Sequence, residues 1–159
     1  MNTSRSEHEL GSIELEASMD QWDQLIDFGS DHIDRSFLDR SRGYKLKLAY
    51  EELLSNIIRA ASEHIKESHG CNININVTAI ERTIDDTTWF ILRTSDTCLA
   101  FDPKFDQRPA IDRDQPVHER AIGGLGLYLI EESVDHVSYE WKNGRNVYEL
   151  CMQSATQAG

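Results

Sequence analysis

Three short segments of this 159-residue chain hold residue types that could handle a phosphate-bearing ligand. The most informative is Glu-Arg-Ala-Ile-Gly-Gly-Leu-Gly-Leu-Tyr-Leu-Ile at positions 119–130. Three of the nine glycines fall within four positions there: Gly123, Gly124 and Gly126. Leu125, Leu127, Leu129 and Ile130 then open an apolar run that reads as a helix. A glycine turn feeding a helix presents unpaired N–H groups and the positive end of a dipole, which suits an anion. The same residues also fit a tight loop before a packed helix. Neither familiar phosphate loop is present. A Walker A loop needs Gly-Lys-Ser/Thr where this chain has Leu127 and Tyr128. A dinucleotide fingerprint needs a third glycine where Leu129 stands, early in a βαβ unit.

The second segment, Tyr-Glu-Glu-Leu-Leu-Ser-Asn-Ile-Ile-Arg-Ala-Ala, lies in a long helical pattern. Glu52 and Asn56 are four residues apart and project from one side, beside the apolar row through Leu53 and Ile57. An amide oxygen at that rim can ligate Mg²⁺, which shares few protein ligands with phosphates and waters. A carboxylate one turn away can orient a hydroxyl or water and accept its proton. A solvated helix edge has the same spacing. In the third segment, 92–103, Asp96 ends a buried strand and can accept a hydrogen bond from an amino group. It can equally cap a turn, as Asp102-Pro103 can initiate a loop.

The elements that must position these residues follow from periodicity. Residues 12–18 alternate Ile13, Leu15 and Ala17 with Glu14 and Glu16, predicting a half-buried strand. Trp22, Leu25, Ile26, Ile33, Phe37 and Leu38 predict a helix over about 19–39, bent or split at Gly29. Residues 40–43 read as a connector and 44–68 as a second helix, closed by His69-Gly70. Strands follow over about 73–80 and 88–95, joined at Asp85-Asp86. Residues 103–122 lack periodicity and carry Pro109 and Pro116, a loop long enough to need a functional reason such as a lid. A helix to about Val134 precedes strands at 136–141 and 145–152, with Asn143-Gly144 between them as a hairpin signal. The expected order is β, α, α, β, β, loop, α, β, β. It predicts an α+β fold in two layers, a mixed, mostly antiparallel sheet with helices on one face.

Composition bounds the partners. The length suits a single domain over 1–159, with a core at about 13–152. An apolar fraction of 39% fits a globular protein, and no apolar run approaches the roughly 18 residues that span a bilayer. The first residues, Met-Asn-Thr-Ser-Arg-Ser-Glu-His, lack a signal peptide's apolar region, so the cytoplasm is expected. A formal charge of −12 argues against nucleic acid but leaves room for a nucleotide held by backbone donors and a metal ion. Cys71, Cys98 and Cys151 form neither a disulfide framework nor a Cys-x-x-Cys site. His64, His69 and Cys71 read as the polar end of a helix rather than a metal cluster.

In this order, the three segments resemble the N, D and G boxes of the GHKL ATPase superfamily, which includes gyrase and the histidine kinases. Gly123-Gly124-Leu125-Gly126-Leu127-Tyr128-Leu129-Ile130 and Phe101-Asp102-Pro103 look most like the bacterial anti-sigma factor serine kinases. The resemblance runs from about Ile13 to Met152 and implies the GHKL (Bergerat) ATP-binding fold. It implies Glu52 as general base, Asn56 as Mg²⁺ ligand, and Asp96 as the reader of adenine, with Cys98 beside the base. Gly124, Leu125, Gly126 and Leu127 would offer backbone N–H groups to phosphates. Residues 104–122 would form the ATP lid, with Arg120 at its hinge near the phosphates. The chain differs from the family's Asp-x-Gly at Cys98, and has Ala60 where a histidine often follows the N-box asparagine. The implied function is an ATP- and Mg²⁺-dependent serine kinase that phosphorylates an anti-anti-sigma protein, otherwise holds a sigma factor, and forms a homodimer. The alternative is a GHKL-fold binding module in partner switching, with weak or no ATP binding and no kinase activity.

Overall fold

A computed structural model describes residues 3–68, 72–101, 103 and 124–154. In chain order the elements are β1 (Arg5–Glu16), α1 (Trp22–Arg35), α2 (Arg40–Ser68), β2 (Asn74–Ile84) and β3 (Thr87–Asp96). They continue with α3 (Gly124–Ser133), β4 (His136–Lys142) and β5 (Arg145–Gln153), and a 3-10 turn at Met19–Gln21 leads into α1. The five strands form one sheet in the order β1-β2-β3-β5-β4. Every pairing is antiparallel, so the expected mixture of directions is absent among the described strands. The reason is visible at β1 and β2. The helical hairpin of α1 and α2 lies between them, and two helices return the chain to the sheet running the other way. Both tight connections have two central residues at positive φ: Asp85 (46°) with Asp86 (69°), and Asn143 (54°) with Gly144 (74°). Such turns match the twist of the strands they join.

One face of the sheet carries the helices. Ile75, Val77 and Ala79 of β2, Phe90 and Leu92 of β3, and Leu150 and Met152 of β5 point into a single core with Leu25 and Ile33 of α1. Ala49, Leu53, Ile57 and Ala61 complete it from α2, a stripe at helical spacing. Among the described residues the opposite face has a small apolar cluster, Ile80, Ile91 and Cys151 with Trp89 against it. Beside it a charged network crosses four strands. The Arg82 guanidinium donates to both Glu149 oxygens (2.9 Å each) and to Glu7 (2.9 Å). Arg93 donates to Glu149 at 3.0 Å and to Glu7 at 3.3 Å. The register places Glu7 opposite Arg82 and Arg93 opposite Glu149, so the strand pairing itself builds the network. Among the described residues, no helix is long and apolar enough to cross a membrane.

α1 is shorter than the expected 19–39 and β2 runs on past the expected residue 80, and three further features differ from the sequence pattern. β1 starts at Arg5, well before the expected residue 12. Residues 5–10 are exposed and show no apolar alternation, yet Arg5 to Glu9 pair with Ile84 to Ile80 of β2, and the register shifts at Leu10, between Glu9 and Gly11. The expected connector at 40–43 is helical, because Asp39 caps α2: its Oδ1 accepts the Arg42 N–H at 2.8 Å. Gly29 does not split α1, which runs unbroken through it. It is a contact glycine, since a Cβ there would lie 2.3 Å from Cε2 of Tyr50. The Tyr50 ring is buried on α1, and its hydroxyl donates to the Leu25 carbonyl at 2.5 Å.

Two stability predictions follow from these contacts. Gly29→Ala gains up to about 1 kcal/mol of helix propensity. It also forces the Tyr50 ring off α1, an overpacking cost of about 1–3 kcal/mol. The melting temperature is expected to fall, and an unchanged or higher value would show that the ring is free to yield. The second concerns acid. Burial pushes the Glu7 and Glu149 carboxyls up, but the Arg82 and Arg93 guanidiniums outweigh it and hold both below the ordinary 4.5. Their contribution is present above that value and is lost as pH falls through the lowered folded-state values. Arg82→Gln should therefore lower stability at pH 7 and flatten its loss in acid. Parallel stability–pH curves for the two proteins would refute this role of the network.

Candidate functional site

The site is assembled from the middle of α2, the end of β3, the start of α3 and the start of β5. Glu52 and Asn56 are half-buried on α2, beside the buried row through Leu53 and Ile57. Gly124, Leu125, Gly126 and Leu127 form the first turn of α3, whose N–H groups have no partner within their own helix. That turn seats directly on the α2 pair. A Cβ at Gly126 would meet Glu52 Oε2 at 3.0 Å and Asn56 Nδ2 at 3.7 Å. The glycine thus lets the turn lie close against the Glu52 carboxylate, which a Cβ would press aside by a few tenths of an ångström. The Asn56 Nδ2 is buried without a hydrogen-bond partner among the described residues, a condition that costs about 1–3 kcal/mol.

Asn56, Asp96, Cys98 and Leu127 line one cavity of about 330 Å³, with Leu53, Ile57, Ala60 and Tyr148 as apolar wall. Arg59 and Glu63 of α2 line it too, and Arg59 is the one cation on that wall among the described residues. A larger depression of about 950 Å³ between the end of α1 and the start of α2 contains none of the expected site residues.

Asp96 is 2% exposed. Its Oδ1 accepts the Cys98 N–H at 3.0 Å and the Asn146 amide at 2.9 Å. Burial pushes its pKa above the ordinary carboxylate value, opposed by the Asn146 bond, the Cys98 N–H and the charge of Arg145. Cys98 is buried as well, and desolvation with the nearby Asp96 charge holds its thiol neutral by raising its pKa. Its backbone is not at positive φ, so this position does not require glycine for conformation. The difference from Asp-x-Gly is one of bulk on the cavity wall.

Six of the expected residues therefore come together: Glu52 and Asn56 against Gly126, and Asn56 with Asp96, Cys98 and Leu127 around the cavity. Gly124 and Leu125 share the same helical turn. Arg120, the lid at 104–122, His69 and Cys71 lie outside the described residues. Among the described residues no group of three or more His, Cys, Asp or Glu could hold a metal. Sequence reasoning missed Arg59 and, above all, Asn146. The signal for Asn146 was a polar residue on the inward register of β5, in line with Tyr148, Leu150 and Met152.

The histidine kinase-like ATPase domain model matches residues 15–152. The chain belongs to that family, and with it to the GHKL superfamily that its three boxes resemble. None of the curated proteins matches it in sequence. Membership implies ATP binding, and the residues present fit a nucleotide: the unpaired Asn56 Nδ2 is a donor that suits a phosphate oxygen, and it shares one site with the first turn of α3 and a buried acceptor, while the Asn56 Oδ1 is the atom that could face a metal.

The Cys98 side chain gives a direct test. Replacing it with glycine removes bulk from the cavity wall and adds backbone freedom, a cost of about 0.5–1 kcal/mol. Cys98→Gly is expected to tighten ATP binding about three- to tenfold, or roughly 0.7–1.4 kcal/mol. Titration calorimetry on the folded variant checks it, and unchanged or weaker binding would show that the thiol is no obstacle.

Proposed function

We propose that this chain is an ATP-dependent protein serine kinase of the anti-sigma type. It would act in the cytoplasm as a homodimer, phosphorylate an anti-anti-sigma protein and otherwise hold a sigma factor. The observation that carries the reading is the seating of the glycine-bearing first turn of α3 on Glu52 and Asn56, beside the cavity that Asp96 lines. The Asn56 amide oxygen would hold Mg²⁺, an ion that takes few protein ligands. The N–H groups of Gly124, Leu125, Gly126 and Leu127 would face phosphate oxygens, and Asp96 would accept the amino group of adenine. Bound Mg·ATP would supply the phosphoryl group and the positive charge beside it. Glu52 would take the proton of the incoming serine hydroxyl, in a reaction where positioning and charge stabilisation dominate.

One observation favours a second reading, a partner-binding module with weak or lost nucleotide binding. The Cys98 side chain lies on the cavity wall where related domains have glycine. Calorimetric titration of the chain with Mg·ATP, followed by phosphoryl transfer to a co-encoded anti-anti-sigma protein, separates the two. Binding with transfer is expected, and a folded chain that binds no Mg·ATP would leave the module.

The two α2 residues have separable roles. Glu52→Gln should keep Mg·ATP affinity and lose about 100-fold or more in transfer rate. Asn56→Ala should weaken Mg·ATP binding itself about tenfold, or roughly 1.4 kcal/mol. Equal losses of affinity in both variants would remove this division.

A further inference from the structure

Asn146 is 1% exposed and uses its whole hydrogen-bonding capacity. Its Nδ2 donates to Asp96 Oδ1 and to the Leu99 carbonyl, both at 2.9 Å, with the Cys98 carbonyl at 3.4 Å. Its Oδ1 accepts the Phe101 N–H at 2.9 Å and the Tyr139 hydroxyl at 2.6 Å. An N–H donor on one side and carbonyl and carboxylate acceptors on the other leave the amide a single orientation. Asn146 therefore ties Asp96 to the backbone of residues 98–101, which supply Cys98, Leu99 and Phe101 to the cavity wall.

We infer that Asn146 is a positioning residue that fixes which oxygen of Asp96 faces the ligand and so sets selectivity for a purine bearing an amino group. This rests on the nucleotide reading above. Both donors that reach Asp96 from the described residues are spent on Oδ1, and Oδ2 is the oxygen left for a ligand. A buried acceptor of fixed direction rewards a ligand N–H and penalises a ligand that lacks one, because the acceptor is then stranded. Without the Asn146 amide, Asp96 keeps only the Cys98 N–H, and water enters the space. Water donates as readily as it accepts, so it bridges to a ligand of either polarity. Discrimination is lost even where binding survives.

The test compares ATP with purine riboside triphosphate, which lacks only the amino group, on the full chain by calorimetry. The parent is expected to prefer ATP by about 10- to 100-fold, the weight of one hydrogen bond to a buried charged group. In Asn146→Ala the ratio should fall to within about threefold, with thermal melting reporting that the variant is folded. Equal weakening of both ligands, with the ratio kept, would make Asn146 a structural residue and overturn the inference. If Asn146→Ala does not fold, Tyr139→Phe carries the test. It keeps the ring against Tyr148 (5.2 Å between centroids) and removes the hydroxyl that orients Asn146. The ratio should then fall about two- to fivefold, and an unchanged ratio would again overturn the inference. A parent that binds ATP without preferring it over the analogue also overturns it, and leaves the nucleotide reading intact. A parent that binds neither removes both.

Discussion

The structure depends on α2 occupying two environments along one length. One stripe, Ala49, Leu53, Ile57 and Ala61, is sealed against the sheet, while the adjacent positions Glu52 and Asn56 face α3. Burying a Leu or Ile side chain is worth about 1.5–3 kcal/mol, so two such residues exceed the roughly 1–3 kcal/mol lost by the unpaired Asn56 amide. The helix can therefore carry an unsatisfied polar group without being displaced by it. The Tyr50 ring on Gly29 fixes α1 against the same helix, which leaves α2 little freedom to turn the pair away from the site.

The site arises where α2 meets the start of α3, and that contact is shaped by the lack of a side chain at Gly126. With Cβ omitted at Gly126, a turn of outward-pointing N–H groups can approach a carboxylate and an amide. In a chain of net charge −12, such fixed local donors, with Arg59 on the cavity wall, offset the overall repulsion of an anion. At the other end of the cavity the requirement is reversed. A buried carboxylate must stay an acceptor of known direction, and Asn146 meets it by bonding to Asp96 and to the following backbone at once.

The two faces of the sheet divide the work. The covered face is largely apolar and continuous with the helices; of the polar residues that interrupt it, Asp96 and Asn146 are bonded to each other, and Thr94 is buried beside them. The uncovered face is held by Arg82 and Arg93 on the two inner strands between Glu7 and Glu149 on the strands that flank them. Because the paired charges lie opposite one another in register, that face also opposes slippage of the long β1–β2 pairing.

Local patterns in the sequence determined a good deal: the order of elements, the Asn143-Gly144 turn, the i, i+4 placement of Glu52 with Asn56, and the three boxes. Each depends on residues within about one turn or hairpin of one another, where spacing alone dictates direction. What needed the tertiary structure depends on partners far away in the chain. Residues 5–10 are a strand only because β2 supplies their hydrogen bonds and Arg82 their charge partner. Gly29 reads as a break until the Tyr50 ring is placed on it, and residues 40–43 read as a connector until the Asp39 carboxylate is seen to cap α2. Asn146 is 50 residues from Asp96, and its role exists only because β3 and β5 pair side by side. Periodicity reports which face a residue occupies; which atom it meets there is decided by the elements the fold lays against it.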